Sequence, residues 1–385
     1  MTKTGNKRIF KPDAAQETLL RAVLRPPAET VTHWRKWQRM VALDDIDPAS
    51  FRLLPLLHHK LGQAGVPEKQ LARYRGVSRQ AWYRNSMLLN RLGQLLEAFA
   101  QAGLRPPLLL KGGALVLEYY ESPALRPMSD IDLLVRFADL EKIGTVMEEN
   151  GWHSIHPRPE SLAEARGKVM RECHYRNREG FEIDFHWNLA QENLYNEEYL
   201  EGFFQRAHPA EINGHPVLAP DAGDLLYHVI IHGLQAEAHP NLYWVIDAQR
   251  ILARNGNRID WGRIFMMALE DRLALRLKRA SQRLSELGLQ DLIPPAPRRL
   301  LTTLDCRTGE KIEFFFTCHP TTLLGNFPLG CFLAWRYARR FPSSRLRIKA
   351  IIDFFLWRWQ LDHFYQLPGE FVNRFGQKLR LTLNT

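Results

Sequence analysis

The chain has 385 residues, of which 45% are hydrophobic and 24% are charged. This is the composition of a globular protein, so wholesale disorder is excluded, and the length suits two or three domains, or one compact domain with large helical additions. With 52 Lys and Arg against 42 Asp and Glu, the net charge is +10. Such a charge permits phosphate-bearing partners, namely nucleotides, nucleic acid or anionic lipid, but does not choose among them.

The N-terminus shows no apolar stretch of signal-peptide length, and no run of about 18 apolar residues occurs anywhere in the chain. We therefore expect no transmembrane segment and a cytoplasmic protein. The chain has four cysteines, Cys173, Cys306, Cys318 and Cys331, and they show no CxxC spacing. This pattern indicates free thiols in a reducing compartment.

The first region, residues 1–103, is predicted to be helical. Apolar residues recur there at intervals of three and four, and Pro26-Pro27 ends the first helix. A long helix is predicted from Val77 to Gly103, with a core-facing stripe that includes Leu88, Leu92 and Phe99.

Residues 104–220 change in character and predict a small mixed sheet backed by helices. Two strand-like runs flank Arg178-Glu179-Gly180, which is a hairpin signal. The predicted order is β-α-β-α-β-β, made of Leu108–Leu110, Ala114–Tyr120, Asp130–Val135, Leu140–Glu149, Arg171–Asn177 and Phe181–Asn188.

Residues 221–385 are predicted to be helical again, with a basic and aromatic tail. The clearest helices are Leu225–Gln235, Val245–Ala253 and Ile264–Leu287, and Pro294-Pro295-Ala296-Pro297 marks a break. The fold class that follows is α+β, a small mixed-sheet domain between N-terminal and C-terminal helical regions.

Three features of the sheet region carry chemistry. Gly112 and Gly113 lie between a strand and a helix, where a phosphate could approach both the backbone and the free N–H groups of the helix N-terminus. A tight turn would explain the pair as well. Asp130-Ile131-Asp132 places two carboxylates on one face of a strand, which suits a divalent cation but also fits a solvated strand end.

The third feature is the segment Glu182-Ile183-Asp184-Phe185-His186-Trp187. A period of two puts Glu182, Asp184 and His186 on one face, and the apolar residues on the face towards the core. The polar face could complete a metal site or belong to a solvated edge strand. His186 could touch an acceptor, orient Asp184, or serve a structural role.

Together these features resemble the nucleotidyltransferase superfamily with a polymerase-beta-like palm. That pattern has an apolar strand, a Gly-Gly turn, a helix, a strand with two aspartates, and a later strand with a third. Three segments of this chain match the pattern: Leu110-Lys111-Gly112-Gly113, Asp130-Ile131-Asp132 and Ile183-Asp184-Phe185-His186-Trp187. They resemble in particular one largely uncharacterised bacterial branch, termed nucleotidyltransferase family proteins.

The resemblance implies transfer of an NMP from an NTP, ATP in the first instance, to an unknown acceptor with release of pyrophosphate. It implies that Asp130, Asp132 and Asp184 are the catalytic residues and hold Mg²⁺ or Mn²⁺. Lys111, Gly112, Gly113, Arg126 and His186 would contact the nucleotide. The acceptor could be a peptide, a protein, a sugar or another small molecule, and Lys111 could equally be a surface lysine.

Two further groups have mainly structural interpretations. His228 and His232 lie four residues apart without the Glu of a zinc protease motif, so metal binding there is not expected. Asp247 is expected to form a salt bridge or a helix cap, with a place in the site as the alternative.

The tail, residues 331–385, has ten Lys or Arg against three Asp or Glu, a net charge of +7. Basic residues interleaved with aromatics could bind RNA or an anionic membrane surface, which would make the protein membrane-peripheral, or could be a packed helix with solvated arginines. The alternative function is therefore a non-catalytic nucleotide-, RNA- or membrane-binding protein on the same fold.

Overall fold

The computed structural model describes residues 12–155, 172–189, 196–235, 240–318, 327–339, 341–359, 361 and 363–373. The N-terminal part is helical, as predicted, with helices α1 (Ala14–Leu24), α2 (Pro27–Gln38), α3 (Pro48–Gln63) and α4 (Glu68–Gln101). Side chains define the starts of two of these helices, because Asp13 caps α1 and Asp47 caps α3.

The middle part contains a mixed sheet. Its elements are β1 (Leu108–Leu109), α5 (Lys111–Tyr119), β2 (Asp130–Leu134), α6 (Leu140–Glu149), β3 (Trp152–Ser154), β4 (Glu172–Asn177), β5 (Glu182–His186), α7 (Glu197–Arg206), β6 (His208–Ile212) and β7 (His215–Ala219). The seven strands lie in the order β3-β4-β5-β2-β1-β7-β6. Strands β2 and β5 are parallel, as are β1 and β7, and the other neighbours are antiparallel. The predicted α+β class is confirmed.

The predicted β4–β5 hairpin is present, and Gly180 takes a positive φ of 81° in its turn. The prediction omitted β3 and the β6–β7 hairpin. That second hairpin turns at Asn213-Gly214, both with positive φ, and continues the sheet beyond β1.

The C-terminal part is helical, with α8 (Ala222–Gly233), α9 (Tyr243–Asn255), α10 (Trp261–Glu270), α11 (Ala274–Glu286), α12 (Pro295–Thr303), α13 (Thr308–Cys318), α14 (Phe327–Ala338) and α15 (Ser344–Trp359). The single helix predicted over Ile264–Leu287 is wrong, because the chain breaks between α10 and α11. Arg272 takes a positive φ of 59° there. The side chain of Asp271 accepts hydrogen bonds from the hydroxyls of Tyr199 and Tyr227, which hold the break in place.

One hydrophobic core joins the N-terminal helices, the sheet and helices α8 to α12. Ile131, Ile183 and Phe185 are fully buried in it, as their alternation with the aspartates predicted. The opposite face of β2 and β5 is therefore the polar face, and it carries the candidate site. Helices α14 and α15 share a smaller cluster that includes Tyr337 and Phe354.

Candidate active site

The polar face of three neighbouring strands brings the ionisable side chains together. In the parallel pair β2–β5, Asp132 lies opposite Asp184. In the antiparallel pair β4–β5, His174 lies opposite Asp184 and Glu172 lies opposite His186. Side chains in these register positions are direct neighbours on the face, so strand pairing alone builds an acidic cluster with two imidazoles.

Three of these side chains could hold one metal ion. Ligand atoms of Asp132, Asp184 and His186 all lie within 4.8 Å of one another, and all three residues are buried. Two carboxylates with an imidazole form a donor set that suits divalent transition metals, and the carboxylates also suit Mg²⁺. The predicted metal aspartates Asp132 and Asp184 are therefore brought together, and His186 joins them.

Asp130 is at the edge of this group rather than within the cluster. Its carboxylate accepts a hydrogen bond of 3.0 Å from the hydroxyl of Ser129. Burial, followed by the charges of Asp132 and Asp184, raises its pKa. The three aspartates thus lie close enough to repel one another, and a bound cation would relieve that repulsion.

Glu172 extends the cluster and was not predicted. Its Oε2 lies 3.0 Å from Nδ1 of His186, while Nε2 of His186 lies 2.8 Å from Oδ1 of Asp132. Burial lowers the pKa of His186, but the contacts with Asp132 and Glu172 outweigh it and raise the pKa overall. A carboxylate on one imidazole nitrogen fixes how the other nitrogen faces a metal.

His174 was also missed, and it closes the network from the β4 side. Its Nδ1 lies 2.8 Å from Oδ1 of Asp184 and its Nε2 lies 3.6 Å from Oε1 of Glu172. The carboxylates of Asp184 and Glu172 raise the pKa of His174 to about 10. The signal for both residues was the alternation of Glu172, His174 and Arg176 in a segment already predicted as a strand.

Both the backbone conformation and the charge of Lys111 place its side chain in the site. It is the first residue of α5 and has a positive φ of 42°, which is uncommon for a residue other than glycine. Its Nζ lies 2.5 Å from Oδ1 of Asp132. Burial lowers the pKa of Lys111, but the neighbouring carboxylate of Asp132 outweighs it and raises the pKa.

The predicted glycine pair lies within the first turn of α5, so the helix starts earlier than the predicted Ala114. A Cβ on Gly112 would lie 3.0 Å from Cγ and Sδ of Met128, and one on Gly113 would lie 3.1 Å from a methyl of Leu109. Both glycines therefore permit close packing of the helix start against the loop before β2 and the strand before α5.

Arg126 is buried in an ion pair with Asp247 of α9, with its Nη2 lying 3.0 Å from Oδ2. Its Nε also donates to Asp247, and its Nη1 donates to the carbonyl of Pro127. The hydroxyl of Tyr120 donates to Asp247 at 2.6 Å, and the guanidinium of Arg126 lies 4.8 Å from the ring centroid of Tyr243. The expected salt bridge of Asp247 is confirmed, and it ties the loop before Asp130 to helix α9.

The other candidates take structural places. The rings of His228 and His232 meet edge to face, with 6.2 Å between centroids. In the tail, buried Arg336 pairs with Glu313 at 2.5 Å, whereas residues 345–349 are exposed. Of the predicted tail, Arg340, Gln360, Asp362 and residues 374–385 lie outside the described residues. No helix among the described parts of the chain is both long and apolar enough to cross a membrane.

Comparison with known proteins gives the family. A family model described as uncharacterised nucleotidyltransferase matches residues 49–287, more than half of the chain. A solved structure titled as an antigenic nucleotidyltransferase-like protein from Paracoccidioides brasiliensis is 12% identical, with a TM-score of 0.34, covering 54% of this chain and 93% of that one. No curated protein matches. From the family match, the chain belongs to the nucleotidyltransferase family described as uncharacterised.

Proposed function

We propose that the protein is a metal-dependent nucleotidyltransferase that moves an NMP from an NTP, ATP in the first instance, to an acceptor hydroxyl or phosphate. The observation that carries this proposal is the cluster of Asp132, Asp184 and His186 beside the N-terminus of α5. Family membership supports this reaction class, and the cluster supplies residues of the kind that the reaction needs. The acceptor is a peptide, a protein, a sugar or another small molecule.

The donor set suits Mg²⁺ or Mn²⁺. Asp132 and Asp184 would be its carboxylate ligands, with His186 beside them and Asp130 completing the acidic edge. When bound, such a cation neutralises phosphate charge and lowers the pKa of an acceptor hydroxyl. Glu172 would keep the His186 ring in place through the 3.0 Å contact with Nδ1.

The chain's own groups would act on the nucleotide from the start of α5. Free N–H groups at a helix N-terminus bind phosphate oxygens, and Gly112 and Gly113 leave this backbone without side chains. Lys111 would share its charge between Asp132 and a phosphate. Arg126 would hold the loop before Asp130 in position, because its guanidinium nitrogens already donate to Asp247 and to the carbonyl of Pro127.

In the proposed step, the acceptor oxygen attacks the α-phosphorus and forms a new P–O bond. The bond from the α-phosphorus to the bridging oxygen breaks, and that oxygen leaves with its electron pair as part of pyrophosphate. The acceptor's proton passes to Asp184, which acts as the general base. Lys111 and the helix N-terminus would offset charge that builds on the phosphates.

The test is incubation of the full chain with each labelled NTP, Mg²⁺ or Mn²⁺ and a cell extract, following pyrophosphate and labelled product. We expect the Asp130→Asn/Asp132→Asn double variant to lose transfer by about 100-fold or more. It should also lose the rise in melting temperature that NTP gives the wild type. The control is Asp139→Asn, which removes a carboxylate paired with Arg105 at the surface. Equal pyrophosphate release by the double variant and the wild type would refute the proposal.

A further inference from the structure

Two arginines from helices α3 and α4 reach the loop that leads into Asp130. Arg52 donates from Nη2 to the carbonyl of Pro127 at 3.2 Å. Arg84 donates from Nη2 to the carbonyl of Ser129 at 3.5 Å, one residue before Asp130. Both arginines are exposed. Their guanidinium groups therefore lie at the edge of the sheet where the acidic strand begins.

These two arginines differ from the two cations that the sequence singled out. The charge of Lys111 is matched by Asp132, and that of Arg126 by Asp247. Within the described parts of the chain, neither Arg52 nor Arg84 has a carboxylate within ion-pair distance. Each uses one Nη2 on a loop carbonyl, so the rest of each guanidinium can bind an anion.

The position of this pair relative to Asp130 is fixed by the neighbouring residues. The Nδ2 of Asn85, adjacent to Arg84 on α4, donates to the carbonyls of Pro123 and Arg126, and its Oδ1 accepts from the N–H of Met128. Asn85 is fully buried. Both the donor and the acceptor group of the Asn85 side chain thus bind the loop to helix α4. These bonds keep Arg84 beside the start of strand β2.

A second tie fixes Arg52. The hydroxyl of Tyr243 on α9 lies within hydrogen-bond distance of two carbonyl oxygens, that of Arg52 at 2.9 Å and that of Leu125 at 3.1 Å, which share its one proton. Partial burial of the Arg52 guanidinium, followed by the positive charge of Arg126, lowers the pKa of Arg52, while the charges of Asp130 and Asp247 act in the opposite direction. A bound anion would offset the contribution of Arg126.

We propose that Arg52 and Arg84 bind the terminal phosphates of the nucleotide, next to the acidic edge that begins at Asp130. Guanidinium groups offer paired N–H donors that match phosphate oxygens. The inference rests on the proposed function, and it adds to the contacts from the start of α5 two further phosphate contacts from helices that lie outside the predicted palm. The ligand class is a nucleoside triphosphate, with inorganic pyrophosphate as the product that shares the same contacts.

The experiment measures binding by calorimetry, using full-length protein, Mg²⁺ and three probes: ATP, AMP and inorganic pyrophosphate. In the Arg52→Gln/Arg84→Gln variant we expect affinity for ATP and pyrophosphate to fall by about 10-fold or more, because each charged hydrogen bond to a phosphate contributes about tenfold. AMP affinity should change less than about 3-fold, because AMP lacks the terminal phosphates. Binding of Mn²⁺ alone, followed by electron paramagnetic resonance, should be unchanged.

The matched control is Arg73→Gln, an exposed arginine of the same helix α4 that pairs with Asp44 at 3.6 Å, away from the loop. It should leave all three affinities unchanged. The single variant Arg84→Gln removes only one 3.5 Å hydrogen bond within the chain, so it guards against misfolding of the double variant. It should weaken ATP and pyrophosphate binding by itself.

The outcomes separate the two proposals. If the wild type transfers NMP and binds ATP, and the Arg52→Gln/Arg84→Gln variant binds ATP equally well, the arginine site is refuted and the proposed function stands. Equal losses for AMP and ATP would also refute it, since the arginines would then act through the fold. If the wild type binds neither ATP nor pyrophosphate, both proposals fail.

Discussion

The buried ion pair between Arg126 and Asp247 gives a quantitative test of how the loop before the site is held. Asp247 is 1% exposed and receives the guanidinium together with the hydroxyl of Tyr120. Replacing Asp247 by Asn keeps the shape and an acceptor oxygen but leaves the charge of Arg126 buried without its partner. Removing one partner of a buried pair costs about 3–5 kcal/mol, so we expect Asp247→Asn to lower the free energy of unfolding by about 3 kcal/mol.

The assay is a urea titration followed by tryptophan fluorescence, with the slope of the transition compared between variants. The control is Asp139→Asn, because Asp139 pairs with Arg105, whose side chain is 53% exposed, at a similar distance of 3.0 Å. A surface pair contributes little, so this control should lose less than about 1 kcal/mol.

The double variant Arg126→Met/Asp247→Leu completes the test. Apolar side chains of similar volume often replace a buried ion pair without loss, so the double variant should be more stable than Asp247→Asn. The reasoning would be refuted if Asp247→Asn and Asp139→Asn cost the same, or if the double variant were no more stable than Asp247→Asn.

Three other substitutions, together with one control glycine variant, test the site and its supports. Glu172→Gln should weaken Mn²⁺ binding, measured by electron paramagnetic resonance, by about 10–100-fold, because the Nδ1 atom of His186 loses its carboxylate partner. Unchanged affinity would remove Glu172 from the site. Gly112→Ala should lower the free energy of unfolding by about 1–3 kcal/mol, because the new Cβ would lie 3.0 Å from the side chain of Met128. The control Gly76→Ala lies within helix α4 with open space around its Cβ position, and it should raise the free energy of unfolding by about 0.5–1 kcal/mol. Equal shifts would contradict the packing argument. Burial acts to raise the pKa of the capping Asp47, but its hydrogen bonds outweigh burial and lower the pKa. The stabilisation of the fold by this carboxylate is therefore present above the unfolded pKa near 3.8 and is lost as the pH falls through the lower folded value. The stability difference between wild type and Asp47→Ala should shrink below about pH 4, and a constant difference would contradict this reasoning.

Period-two patterns predicted the parts of the fold and site that depend on a single strand. The alternation in residues 130–135 and 181–188 predicted which side chains face the core, and the turn at Gly180 predicted the hairpin. The Asn213-Gly214 turn is an equally strong local signal for the β6–β7 hairpin, which the predicted sheet lacks. The predicted sheet therefore has too few strands, although the residues of this turn indicate the hairpin.

The remaining features depend on contacts between distant segments. The apolar periodicity runs on through Arg272, and the break between α10 and α11 is stabilised by tyrosines from α7 and α8. Likewise, Glu172 joins the site only because β4 pairs with β5 in a register that puts it opposite His186. Local patterns do not contain strand register, so the sequence indicated a polar strand face but not its partner.

The contacts around the loop before Asp130 reach beyond the predicted palm of residues 104–220 on both sides. The matched segment, residues 49–287, includes Asn85 of α4 and Asp247 of α9. A chain cut to the palm would lose all three hydrogen bonds of Asn85 to the loop and leave Arg126 buried without a counter-charge. Because Asp130 directly follows this loop, the helices on either side of the palm belong to the structure that positions the acidic site.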